Sequence, residues 1–251
     1  MNAILEGIIL GLTQGLTEFL PVSSSGHLVL LESFGIGEQS TAFNLMLHLA
    51  TLLAVVIFYR KKILSLIKHP TGDEMKFLLI ATIPTAVMAG VIRYLIPIDS
   101  QWLPFCFAVT SVILVLPKIL KPKTQLITKK RTLSAIILGV MQGVACINGI
   151  SRSGTTVSTL RMLGESEEKT AETSFLLSIP IILGSSIVEI AFSKQKFTLN
   201  IGEILGMVVA FLSGLVAIKF FVSVLKKDKF FLFSIYTFLM SILSFVLPRV
   251  L

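Results

Sequence analysis

The chain has 251 residues, 54% of them hydrophobic and 14% charged, with a formal net charge of +8 and a mean hydropathy of +0.89. Soluble domains carry about 25% charged residues, so a water-soluble globule is excluded and a polytopic all-α membrane protein is expected. The positive charge does not point to nucleic acid, because 14 of the 22 Lys and Arg fall in three short stretches beside apolar runs.

In chain order, the first element is an apolar hairpin over 1–35. It begins without the basic stretch and cleavage site of a signal peptide, so it reads as structure. "PVSSSG" at 21–26 breaks it in the middle. Three spans follow at 41–59, 77–97 and 103–118, around the apolar runs Leu45–Phe58, Phe77–Ile92 and Leu103–Leu116; about 20 residues cross a bilayer as helix. A second hairpin over 132–163 is broken at "NGISRSG" (148–154), and spans at 172–192, 203–225 and 229–248 complete the chain. The basic stretches are Arg60, Lys61, Lys62, Lys68 and Lys76; Lys118, Lys121, Lys123, Lys129, Lys130 and Arg131; and Lys226, Lys227 and Lys229. The positive-inside rule places them in the cytoplasm. The loops at 35–40, 97–101 and 193–200, with none, none and two basic residues, then lie outside. Cys106 and Cys146 both lie in apolar sequence, and no disulfide is expected between them.

Sliding the sequence by 128 lays "IILGLTQGLTEFLPVSSSG" (8–26) over "IILGVMQGVACINGISRSG" (136–154), with nine identities in 19 positions. Gln14/Gln142, Gly11/Gly139, Gly15/Gly143, Ser23/Ser151, Ser25/Ser153 and Gly26/Gly154 are among them, which shared hydrophobicity alone does not produce. Three spans lie between the copies, and an odd number turns the second copy upside down. The expected fold is a single membrane domain over 1–251 with two inverted-topology repeats, about 1–120 and 130–251. Each is a re-entrant helix hairpin plus three transmembrane helices. Irregular backbone at membrane depth persists only where protein buries it or a wet cavity receives it, and paired broken elements of this kind build sites near the midplane. The alternative, two extramembrane Ser/Gly loops, breaks the basic-loop pattern.

The copies share a scaffold and differ in chemistry. Opposite Glu18, Ser24 and His27 stand Cys146, Arg152 and Thr155. An arginine at membrane depth is costly and marks a functional site, and its planar fork suits phosphate or carboxylate oxygens. The competing reading of Arg152 is a structural ion pair with Glu18. "GISRSG" adds hydroxyls and glycine-exposed N–H groups at a helix start, an anion cradle. Gln14 and Glu18, four apart, share one helix face, and oxygen ligands so placed suit Mg²⁺ or Ca²⁺. Ser24 and His27, three apart, allow a base to activate a hydroxyl. His48 reads as a helix histidine satisfied locally, His69 as a loop residue before Pro70, and Glu189 receives no role.

"QGLTEFLPVSSSGH" followed by "NGISRSGTT" resembles the paired motifs of the undecaprenyl-diphosphatase family, the bacitracin-resistance type of membrane phosphatase. Gln14 and Glu18 match the family's Glu/Gln-x-x-x-Glu. Gly149, Ser151, Arg152, Ser153 and Thr156 match its second motif, in which Asn148 replaces a proline. The resemblance implies hydrolysis of undecaprenyl diphosphate to the monophosphate on the outer face of the bacterial cytoplasmic membrane, recycling the lipid carrier of cell-wall polymers. The expected catalytic residues are Glu18, Ser24, His27 and Arg152. The expected substrate contacts are Ser23, Ser25, Gly26, Gly149, Ser151, Ser153 and Thr156, and Gln14 and Glu18 would hold the divalent cation. The expected partners are the polyprenyl diphosphate and the bilayer, with no nucleic acid; a homo-oligomer is left open. The rival class is a polyprenyl-phosphate flippase or secondary transporter using the same inverted site.

Overall fold

The computed structural model describes residues 2–37, 41–95, 100–120, 125–192 and 200–247. Residues 38–40, 97–99 and 193–199 of the expected outside loops at 35–40, 97–101 and 193–200, and Lys121 and Lys123 of an expected cytoplasmic loop, lie outside the described residues. All regular structure among the described residues is helical. The helices are α1 (Ala3–Phe19), α2 (Ser24–Ser33), α3 (Thr41–Phe58), α4 (Arg60–Lys68), α5 (Asp73–Leu95), α6 (Leu103–Leu120), α7 (Leu126–Lys129), α8 (Arg131–Val144), α9 (Arg152–Met162), α10 (Glu167–Phe192), α11 (Ile201–Lys226) and α12 (Phe233–Val246).

Four of them, α5, α6, α10 and α11, are long and apolar enough to cross a membrane, and α3 makes a fifth span if joined to α4 across a 77° bend. This is a multi-pass membrane protein. The span expected at 229–248 is shorter, the 14-residue α12 behind a 3₁₀ turn at Phe230–Leu232. The tighter 3₁₀ rise of about 2.0 Å per residue brings the pair to roughly 27 Å, close to a hydrocarbon core of about 30 Å.

The basic stretches gather at one end of the molecule. Lys62 Nζ bridges Glu74 on α5 (2.7 Å) and Glu172 on α10 (2.9 Å). Arg161 at the end of α9 pairs with Glu167 at the start of α10 (2.6 Å). Lys118 lies over the Phe231 ring, and the Ile127 N–H donates to Leu163 O. Hence α5, α8 and α10 start at this end, and α6, α9 and α11 finish there.

Glycines decide how the first helix of each hairpin packs. Gly7, Gly11 and Gly15 recur every four residues on α1 and meet Gly202, Gly206 and Ala210, spaced alike on α11; a Cβ on any of the three would overlap the α11 backbone. Small residues at this spacing let helix backbones approach closely in lipid, where apolar side chains gain nothing by leaving the solvent. The pairing 7 to 202, 11 to 206 and 15 to 210 makes α1 and α11 parallel. On α8, Gly139 and Gly143 press likewise against Ala81, Pro84, Thr85 and Met88, so α8 runs parallel to α5.

Both hairpins break where expected. After α1, Leu20–Ser23 reverses the chain, with Ser23 in the left-handed region (φ 69°) and its hydroxyl accepting the Gly26 N–H as N-cap of α2 (3.3 Å). After α8, the turn to Ser151 uses Gly149 at φ 92°, and the Ser151 hydroxyl accepts the Gly154 N–H as N-cap of α9 (3.1 Å). The two breaks touch. Ser153 Oγ–H donates to Leu20 O (2.8 Å), and a Cβ on Gly26 would press on the Phe107 ring and Gly149 Cα. Thr110 on α6 steadies the second break, donating to Gly149 O and accepting from the Ser151 N–H, both at 3.0 Å.

Candidate active site

Glu18 is the hub. It lies buried at the end of α1, one turn beyond Gln14, whose Nε2–H donates to Glu18 Oε2 (3.0 Å). The chain reversal at Leu20–Ser23 brings the first residue of α2 back onto the same carboxylate, and Ser24 Oγ–H donates to Glu18 Oε2 at 2.6 Å. The second break supplies the counter-charge: Arg152 Nη2, at the first position of α9, donates to Glu18 Oε1. Residues 134 apart in sequence thus share one carboxylate. The Glu18–Arg152 ion pair is real, yet it uses half of the guanidinium fork. Arg152 Nη1 is buried and has no partner among the described residues.

These groups face a cavity of about 670 Å³ lined by Glu18, Ser23, Ser24, Ser25, Ser151, Arg152 and Ser153 from the breaks, with Cys146 and Asn148 beside them. The N-termini of α2 and α9 both border it. A helix N-terminus carries roughly half a positive charge and inward-pointing N–H groups, which suits an anion. Ile92, Ile147, Ile150, Ile181 and Ile182 form the apolar part of the wall.

The other expected residues take different places. His27 does not reach Ser24. Its Nδ1 meets Ser23 O (2.7 Å), its Nε2 meets the Tyr236 hydroxyl (2.7 Å), and its ring stacks on Tyr236 and meets Phe107 edge-on. A backbone carbonyl four residues back outcompetes the neighbouring hydroxyl, as local side-chain-to-backbone bonds commonly do. His27 therefore braces the left-handed Ser23, a conformation that costs a non-glycine residue about 1–3 kcal/mol unless its surroundings hold it. Gly26 and Gly149 pack the breaks together, and Thr156 bonds back to Arg152 O (3.0 Å) and to Ser174 (2.6 Å).

The cavity histidine is His48, which the sequence reading passes over. Its Nδ1 lies 2.9 Å from Gln14 Nε2 and 3.5 Å from Glu18 Oε2. Its only signal in the sequence is a polar residue inside the apolar run of α3. Tyr236 and Arg93 carried no signal. Where the divalent cation is expected, the Glu18 oxygens accept protein donors. Gln14 turns its amide nitrogen toward Glu18, Arg152 and Ser24 take one Glu18 oxygen each, and no three His, Cys, Asp or Glu come together among the described residues. A hard cation seeks six or more oxygens.

A protein-family model described as bacitracin resistance protein BacA matches residues 7–243. The chain belongs to the BacA family. Relatives named undecaprenyl-diphosphatase include one from Carboxydothermus hydrogenoformans, 39% identical over 256 residues and covering 98% of both chains. Another, from Borrelia recurrentis, is 38% identical over 267 residues with 98% of each covered. A third, from Korarchaeum cryptofilum, is 35% identical over 258 residues, covering 95% of this chain and 97% of its own. Within this BacA chain, Gln14, Ser24 and Arg152 are the motif residues that converge on the Glu18 carboxylate.

Proposed function

We propose that this chain is an undecaprenyl-diphosphatase, a membrane hydrolase that converts the lipid diphosphate to the monophosphate and inorganic phosphate. One observation carries the reading: the Ser24 hydroxyl and the Arg152 guanidinium meet on the Glu18 carboxylate at the wall of a cavity bordered by two helix N-termini. A hydroxyl held 2.6 Å from a carboxylate has its base in place. The free Arg152 Nη1 and the N-termini of α2 and α9 answer the charge that spreads over a transferring phosphoryl group.

Ser24 Oγ attacks the terminal phosphorus, the bond from that phosphorus to the bridging oxygen breaks, and the Ser24 proton passes to Glu18 Oε2. The lipid leaves as its monophosphate. Water then cleaves the phosphoserine, releasing inorganic phosphate and restoring the hydroxyl. A flippase would bind the headgroup without an activated hydroxyl, so the Ser24–Glu18 bond weighs against that class. Mg²⁺ or Ca²⁺ enters this reading only as a counter-ion travelling with the diphosphate, and the test is loss of turnover with EDTA and its return with either ion.

The two hairpins are inverted repeats of one fold. Support comes from partners exchanged between the halves: α1 runs with α11, and its sequence counterpart α8 runs with α5. α11 finishes at the basic end and α5 starts there, so α1 and α8 enter from opposite ends. The cavity reaches Ala89 and Arg93 near the end of α5 away from the basic stretches. With those stretches in the cytoplasm, the site of this cytoplasmic-membrane protein opens to the outer face.

The deciding experiment is phosphate release from undecaprenyl diphosphate by purified protein; absence of release ends the reading. Orientation has its own test. Cys106 is buried while Cys146 is exposed at the cavity, so a membrane-impermeant thiol reagent applied outside intact cells is expected to modify Cys146. Protection there, with labelling only in inverted vesicles, reverses the orientation.

A further inference from the structure

The charges around the cavity leave a question about the substrate. Glu18 and Arg152 form a pair and cancel, yet a diphosphate brings at least two negative charges. Among the described residues lining the cavity, one other Lys or Arg is present, Arg93 in the last turn of α5. It lines the cavity with Ala89 and Ile92 of its own helix, next to α10, which adds Ile181, Ile182 and Ser185 to the lining.

Arg93 is held loosely. Both Nη1 and Nη2 reach a single oxygen, Glu189 Oε2, at 3.4 and 3.5 Å. A matched guanidinium–carboxylate pair uses two oxygens at about 2.7–2.9 Å. The arginine side chain is 57% exposed and the glutamate 28%, and exposed pairs of this kind contribute little. Glu189 lies one turn beyond Ser185, outside the cavity lining, so it draws the guanidinium toward the rim and not into the wall. A phosphate entering the cavity offers what Glu189 does not: two or more oxygens in the geometry of the fork.

We propose that Arg93 binds the phosphate that stays on the lipid, with Glu189 as the place-holder it leaves when substrate enters. The assignment rests on the diphosphatase reading and divides the headgroup between two arginines. Arg152, beside Ser24, takes the phosphoryl group that is transferred. Arg93, in the last turn of α5, takes the phosphate of the departing monoester, whose oxygen gains charge as the anhydride bond breaks. The apolar wall at Ile92, Ile181 and Ile182 lies next to Arg93, where the first isoprene units attached to that phosphate must lie.

Product inhibition separates the two subsites, using farnesyl phosphate for the lipid monoester and inorganic phosphate for the transferred group, with farnesyl diphosphate as substrate. Arg93→Gln is expected to raise the inhibition constant of farnesyl phosphate roughly tenfold to a hundredfold, the range of one charge-assisted hydrogen bond, and to leave that of inorganic phosphate within about twofold. Glu189→Gln, which frees Arg93, is expected to lower the constant for farnesyl phosphate. An equal rise for both inhibitors in Arg93→Gln, or no rise, overturns the subsite. So does a Glu189→Gln variant that weakens farnesyl phosphate as much as Arg93→Gln does, because the pair is then a strut between α5 and α10. Wild-type protein that releases phosphate while Arg93→Gln behaves normally rejects the subsite alone; wild-type protein that releases none rejects the function with it.

Discussion

Gln14 and Gln142 occupy the same place in the two hairpins, three residues past a matched glycine helix contact, and do different work. Gln14 donates to Glu18 and faces His48 at the cavity. Gln142 donates to Thr85, whose hydroxyl in turn holds Gly139 O (3.1 and 2.9 Å), so it pins α8 to α5. The same divergence runs through both breaks. The first places Glu18 and Ser24 at the cavity, while the second places Cys146 and a single guanidinium there. The two share their backbone devices, namely the packing glycines, the serine N-caps and the tethered turns. The side chains that touch the cavity differ, with a hydroxyl bonded to a carboxylate on one side and a cation on the other.

The largest expected effect tests that division. Arg152→Lys keeps a charge and loses the fork, and Ser24→Ala loses the nucleophile. Each is expected to lower kcat by ~10³-fold or more in protein that still folds, and the double variant should be hardly worse than either alone, because residues acting as a unit are not additive. Near-normal turnover in Ser24→Ala hands the attack to water and leaves Glu18 and Arg152 in place. The glutamine pair sharpens the comparison further. Gln14→Ala should lower kcat about tenfold, since it removes one hydrogen bond to a charged group, with Tm nearly unchanged. Gln142→Ala should leave kcat within about twofold and lower Tm by about 2–4 °C, the shift that ~1 kcal/mol produces in a chain of this size. The reverse pattern would mean that the wrong hairpin has been assigned the chemistry.

Smaller effects probe the supports. Tyr236→Phe keeps the ring stacked on His27 and removes the hydroxyl at Nε2. A loss of kcat of about threefold to tenfold, with KM steady, is expected if His27 acts through the Ser23 turn. Smallest of all is Cys146→Ser. This residue matches Glu18 in the repeat and lines the same cavity, and turnover within about twofold of wild type is expected because a thiol and a hydroxyl are of similar size and neither has a partner acid there.

Much of this site could be read along the chain because its makers are local. Glu18, Ser24 and Arg152 sit at or beside helix breaks, and a break in an apolar run is visible as Pro, Ser and Gly. The histidines sit where spacing alone does not put them, for a physical reason. Closeness in sequence suggested that His27 serves Ser24, but the Ser23 carbonyl, on the same turn, claims its Nδ1. His48 reaches Glu18 only through the packing of α3 against α1, and hydropathy reports the solvent of a helix and not its neighbour. Tyr236 lies 209 residues from His27, and Arg93 lies 96 from Glu189. The glycines at 11, 15, 139 and 143 are plain in the sequence match, where they count only as identities. Their packing role shows only once α11 and α5 are laid against them.

The glycine contact between α1 and α11 also sets a schedule. A ribosome adds about 5–20 residues per second, so α1 waits roughly 10–40 s between its own synthesis and that of the helix it packs on. α8 has no such wait, because α5 is already made when α8 emerges. The first hairpin, with its carboxylate, thus lacks its main helix partner until nearly the last transmembrane segment arrives, and truncation before α11 is expected to leave it the first target of membrane proteases.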